Sequence, residues 1–208
     1  MCVTFEDVNA AAKRIEHPTL SFASAAAWNT WLKNEHARAK GVWIKIARKS
    51  SGLESVDYPG ALDVALTWGW IDGQRASFDE THFLQKFTPR GKRSIWSKVN
   101  RDKIAALEKA GKMQPAGRAE VERAKADGRW DAAYDSPSNA KVPDDLAAAF
   151  AKSPRASKLF AVLDATNRYA VLHRVQTAKK PETRAARIAK FVAMLAKGET
   201  IHPRKQAK

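Results

Sequence analysis

The run Val42-Trp43-Ile44-Lys45-Ile46-Ala47-Arg48 alternates with a period of two: Val42, Ile44 and Ile46 fall on one face, Trp43, Lys45 and Ala47 on the other. That period predicts a β-strand in a chain whose other signals are mostly helical, and it decides for α+β. Upstream, Ser24 is placed to cap a helix through about Arg38, with Trp28, Trp31 and Leu32 on one stripe, and Gly41 ends it. Downstream, Ser50-Ser51-Gly52 is a loop, and a helix with Pro59 in its first turn carries Ala61, Leu62, Ala65 and Leu66. Trp68 to Arg75 leads into extended structure, with Asp72-Gly73 read as a turn. His82 to Phe87 predicts another strand, Phe83, Gln85 and Phe87 sharing a face, closed by Pro89 and Gly91. The front of the chain reads as a small N-terminal α+β domain with about three β-strands and covering helices.

Two further helices are expected, from Ser94 or Ser97 to Gly111 with Ile104 and Leu107 inward, and from Pro115 to about Ala126. Asp135-Ser136-Pro137-Ser138-Asn139 reads as a linker. From Pro143 the pattern is helical throughout, with starts at Pro143, Ser153-Pro154, Thr166 or Asn167, and Pro181. The fourth helix repeats Ile188, Phe191, Val192 and Leu195 at i, i+3, i+4, i+7, and Gly198 stops it. The expected division is an N-terminal domain over 20–134 and a four-helix C-terminal module over 141–198, followed by a basic, frayed tail from Ile201 to Lys208.

Of 208 residues, 37 are Lys or Arg and 22 are Asp or Glu, a formal charge of +15. Residues 1–80 carry −1, residues 81–129 carry +8, and residues 130–208 carry another +8. Such an excess points to a polyanionic partner. No apolar run approaches the ~20 residues of a membrane helix. The single cysteine, Cys2, excludes an intrachain disulfide and a multi-cysteine zinc site. The acidic opening Met1 to Asp7 has no signal-peptide pattern, so a cytoplasmic protein is expected. His17, His36, His82, His173 and His202 show no ligand spacing, and phosphate-loop, dinucleotide and esterase motifs are missing. No metal, no cofactor and no defined reaction are expected.

Five stretches together resemble a known bacterial family. They are Gly69-Trp70-Ile71-Asp72-Gly73-Gln74; Leu84 to Arg90 with Ser94-Ile95-Trp96-Ser97-Lys98-Val99-Asn100; Met113-Gln114-Pro115-Ala116-Gly117; Asp127 to Tyr134; and Pro181-Glu182-Thr183-Arg184. Over about residues 20–197 the chain resembles the YdeI/OmpD-associated, or bacteriocin-protection, family. The resemblance implies a link to outer-membrane porins and antimicrobial-peptide resistance, and it brings no catalytic residues with it. Proteins grouped nearby carry a frataxin-like domain, but iron handling needs clustered carboxylates, and the first helix offers only Glu35 among basic neighbours.

The leading candidate site is the basic segment from Phe87 to Lys103, where six cations face Asp102 alone. A loop running into a helix N-terminus suits anions, so Arg90, Lys92, Arg93, Ser94, Lys98 and Arg101 are expected to contact phosphates of a nucleic acid, with Trp96 stacking on a base. A second candidate is a small-molecule pocket combining Trp43, Trp70, Asp72, Gln74, His82 and Gln85, with Asp72 and His82 as the minimal acid–base pair. A third is a protein partner docking on the C-terminal module. The sequence carries no signal for oligomeric state.

Overall fold

The computed structural model describes residues 17–203; residues 1–16, with Cys2, and residues 204–208 of the basic tail lie outside the described residues. The chain divides into two compact units. The first runs to Ser94 and resumes over Asn100–Trp130, and the second combines Ile95–Val99 with the chain from Asp131. Among the described residues no helix is long and apolar enough to cross a membrane.

The first unit holds a four-stranded sheet of β1 (Thr19–Ser21), β2 (Val42–Ala47), β3 (Trp70–Ser77) and β4 (His82–Pro89) in the order β1-β2-β4-β3. β1 runs parallel to β2, and the other neighbours are antiparallel. Val42, Ile44 and Ile46 pair with Phe87, Gln85 and Phe83, so the alternating apolar face of β2 continues across β4. Helices α1 (Ala25–Glu35) and α2 (Tyr58–Thr67) start where their caps require: Ser24 Oγ accepts the Ala27 N–H at 3.2 Å, and Asp57 accepts that of Gly60 at 2.9 Å. Buried Trp28 of α1 packs on Phe22, Trp70 and Phe87, and its indole N–H donates to Ala61 O at 3.1 Å.

Helices α3 (Lys98–Lys109) and α4 (Pro115–Ala126) follow, Lys98 and Val99 of α3 grouping with the second unit. The start of α4 is pinned to the end of α2, where the Gln114 N–H donates to Thr67 O at 3.0 Å. Gly117 is buried there because only a residue without Cβ leaves room for the Thr67 carbonyl.

Two local expectations give way to the structure. Asp72-Gly73 is no turn: it lies inside β3, where the register against β4 shifts between Asp72 and Arg75. That β-bulge turns carbonyls out of the ladder, and the buried Gln85 side chain donates to Gly73 O at 3.0 Å and Gln74 O at 3.3 Å. The chain reverses at 78–81 instead, around Asp79, whose carboxylate accepts the N–H groups of Thr81 and His82. A fourth strand, β1, joins the sheet through three residues, too few to show a period.

The second unit contains α5 (Asp144–Ala151), α6 (Pro154–Ala161), α7 (Ala165–Gln176) and α8 (Pro181–Ala196), the four helices that the Pro starts and apolar stripes predict. Leu146, Phe150, Phe160, Leu172, Phe191 and Leu195 belong to its core. The cap of α7 is Asp164, not Thr166 or Asn167; it accepts the Asn167 N–H at 2.8 Å. Asn167 is 1% exposed and grips the chain beyond α8: the His202 N–H donates to its Oδ1 at 2.9 Å, and its Nδ2 donates to His202 O at 3.2 Å. Ile201 and His202 are therefore tied down rather than frayed.

Candidate functional site

The residues of the predicted basic site fall into different roles. Arg90 is only 5% exposed, its N–H donating to Gly69 O at 3.0 Å and its carbonyl accepting from Arg123, so it sits inside the first unit. Lys92 and Arg93 are exposed on a tight loop closed by two hydrogen bonds, Gly91 N–H to Ser94 Oγ at 3.0 Å and Ser94 N–H to Gly91 O at 2.9 Å. Beneath that loop, Arg129 donates Nη1 to Ser94 O and to Glu120 Oε1, both at 3.0 Å. Arg129 Nε reaches Asp127 Oδ2 at 2.7 Å, and Arg123 also donates to Glu120. Burial pulls the Arg129 guanidinium pKa down, but its hydrogen bonds to the Asp127 and Glu120 carboxylates outweigh this and hold the pKa above its ordinary value. Arg101 donates to Trp130 O at 2.9 Å, with its guanidinium carbon 5.2 Å from the Trp130 ring centroid.

In the second unit, Trp96 is 1% exposed and so cannot stack on a base. Its carbonyl accepts the Tyr134 N–H at 3.0 Å, and Ser97 bridges to Tyr134. Lys98 pairs with Asp135 at 2.7 Å. Of the seven residues, Lys92 and Arg93 remain as exposed cations without an ion-pair partner among the described residues.

The second candidate set is not brought together. Asp72 pairs with Phe87 of β4, whereas His82 lies at the other end of that strand opposite Ala47, so about 17 Å of strand separates the two groups. Trp43 pairs with Lys86 and Trp70 with Pro89, positions on opposite faces of the sheet. Asp72 and His82 have separate local partners, and the Gln74 side chain is exposed: the Tyr58 hydroxyl donates to Asp72 at 2.9 Å, and His82 Nδ1 lies 2.7 Å from Thr81 Oγ1. Gln85 serves the bulge, through the Gly73 and Gln74 carbonyls. An acid–base pair from Asp72 and His82 is not assembled.

Sequence reasoning passed over a cluster in the second unit. The His173 ring lies between Tyr134, 4.7 Å away and edge-on, and Tyr169, 5.5 Å away. The Tyr169 hydroxyl donates to Asp135 O at 2.9 Å, and Gln176 Nε2 donates to Asp135 Oδ2 at 2.7 Å, fixing the head of the stretch read as a linker. The available signal was the Tyr169/His173 spacing of i, i+4 on one helix face.

Burial, reinforced by the charges of Arg174 and Arg187, holds the His173 imidazole below its ordinary 6.5. Below that value the unfolded chain binds more protons than the folded one, so this group's share of stability is complete above pH 6.5 and is lost as pH falls beneath it. Asp135 and Asp145, held below 3.8 by hydrogen bonds from Lys98 and Arg184, add a second loss as pH falls past 3.8. Acidification is therefore expected to lower the urea midpoint of the second unit, followed by amide exchange of α7, in two stages, and His173→Gln should remove the first. A wild-type midpoint flat from about pH 7 to about pH 5 would exclude this assignment.

Residues 139–198 match the family model described as Bacteriocin-protection, YdeI or OmpD-Associated. Residues 20–120 match a different model, described as a domain of unknown function (DUF8412), so the Gly69-to-Gln74, Leu84-to-Asn100 and Met113-to-Gly117 stretches fall there, and of the five stretches Pro181-to-Arg184 alone lies within 139–198. No curated protein and no solved structure compared with the chain matches it.

Proposed function

Starting from a chain whose residues 139–198 belong to the Bacteriocin-protection, YdeI or OmpD-Associated family, we propose that the protein is a non-enzymatic, cytoplasmic binder of a polyanion, nucleic acid, acting in protection against antimicrobial peptides. The observation that supports this reading is the exposed Lys92-Arg93 pair, held on a preformed loop over the Glu120–Arg129 ion pair. Preorganised cations engage phosphates without the entropic cost of ordering a flexible loop. The formal +15 supplies the long-range attraction. The same charge weighs against direct capture of a cationic peptide, because residues 130–208, which include the family module, carry +8.

The burial of Arg90 and Trp96 narrows the expected interface. Lys92→Ala combined with Arg93→Ala should weaken binding to labelled duplex DNA and make the slope of log K against log[salt] shallower by about 2, roughly 0.9 for each phosphate no longer neutralised. Binding through backbone phosphates should be almost indifferent to base sequence, since phosphate contacts carry no sequence information. No binding of DNA or RNA even at low salt would overturn the proposal, as would a double variant with an unchanged slope.

A further inference from the structure

We propose that the second unit carries a binding site for a small organic oxyanion, a carboxylate or phosphate monoester on a ring-sized apolar body, in the cavity where His202 meets α7. The cavity, of about 410 Å³, is lined by Pro137, Ala165, Thr166, Tyr169, Ala170, His173, Arg174 and His202. Its size lies within the range of small-ligand sites, about 300–1,000 Å³. No lining residue carries a carboxylate, while a guanidinium and two imidazoles do line it. Pro137, Ala165, Ala170 and the Tyr169 ring supply apolar wall for a ligand body.

The polar groups divide between those already engaged and those still available. The Tyr169 hydroxyl is committed to Asp135 O, and one Arg174 nitrogen to Ala170 O at 3.1 Å. Among the described residues the Thr166 hydroxyl and the imidazoles of His173 and His202 make no protein hydrogen bond, and the rest of the exposed Arg174 fork is open to solvent. Arg187 reinforces the positive field, donating to the Arg174 carbonyl from α8. The site is built rather than accidental in one further respect. The buried Asn167 amide, itself oriented by Asp164 at 3.1 Å, fixes His202 to the cavity wall through two backbone hydrogen bonds. A tail residue without such a clamp would have no defined place there.

This inference does not rest on the nucleic-acid reading, whose cations lie on the Gly91–Ser94 loop. The test is a titration of the full chain with phenyl phosphate, with benzoate, and with benzyl alcohol as an uncharged control, following the histidine ring resonances by NMR. At least one of the two anions should shift His173 and His202 saturably with a Kd at or below about 1 mM. Arg174→Gln should weaken that anion at least about tenfold and Lys92→Ala/Arg93→Ala should leave it unchanged; the stronger of the two anions identifies the headgroup. Both variants alter exposed side chains, so folding is not at issue. Absence of a saturable shift from either anion up to about 10 mM overturns the site. So does an equal response to benzyl alcohol, or undiminished affinity in Arg174→Gln combined with His202→Ala.

Discussion

Glu120→Ala is expected to cost the first unit about 3–5 kcal/mol, the range for removing one partner of a buried ion pair. Glu120 is 4% exposed and Arg129 5%, and they meet at 3.0 Å. Without Glu120, the Arg129 guanidinium stays buried with Asp127 as its remaining carboxylate, and Arg123 loses its carboxylate partner too, keeping the Arg90 carbonyl. Glu120→Gln keeps the shape and an acceptor oxygen, so it should cost less. A double variant, Glu120→Leu with Arg129→Met, should be more stable than Glu120→Ala, because no charge is left stranded. It would still deprive Ser94 O of its donor, so the Lys92-Arg93 loop should bind DNA more weakly even where stability is regained. Urea unfolding of the three variants checks the energetics. A loss under about 1 kcal/mol for Glu120→Ala would show that the pair is not the support described.

Gly117→Ala should be the second large effect, about 3 kcal/mol and opposite in sign to helix propensity. In an ordinary helix interior the exchange of Gly for Ala stabilises by about 1 kcal/mol. Here the added Cβ would lie 2.7 Å from the Thr67 carbonyl carbon and 3.0 Å from Met113 Cε. The methionine end can swing aside, whereas the Thr67 backbone is committed to the Gln114 N–H. Relief therefore requires α4 to retreat from α2, which is the costly form of overpacking. Gly117→Val should be worse still. Urea unfolding again provides the measurement, and an alanine variant as stable as wild type would mean that the two helix ends part freely.

How far the fold was legible in the sequence follows the range of the signals. β2 was readable because six residues alternate against a single core face, and α5 to α8 because start signals and apolar stripes agree within each helix. β1 was not, since three residues carry no period and its parallel partner lies more than twenty positions away. Asp72-Gly73 has the local chemistry of a turn, but continued pairing of β3 with β4 on both sides makes it a bulge. The site was less legible than the fold. Arg90 looks like a surface cation until the fold buries it, with Arg123 reaching its carbonyl from 33 positions later, and Trp96 until Tyr134 pairs beside it. His173 looked like a scattered histidine because its neighbours, from Tyr134 to His202, form no contiguous motif.

Ile95–Val99 groups with residues from Asp131 onward, although Ser94 and Asn100 on either side do not. The segment recognised as a family module, 139–198, is thus shorter than the piece that holds together by its own packing. A gene fragment opening at residue 139 would encode the four helices without Trp96, Ser97 and Tyr134, and without Asp135, to which Tyr169 and Gln176 are fastened. The family-matched stretch and the compact unit therefore have different bounds, and a fragment cut to the first loses the contacts that Tyr134 and Asp135 make.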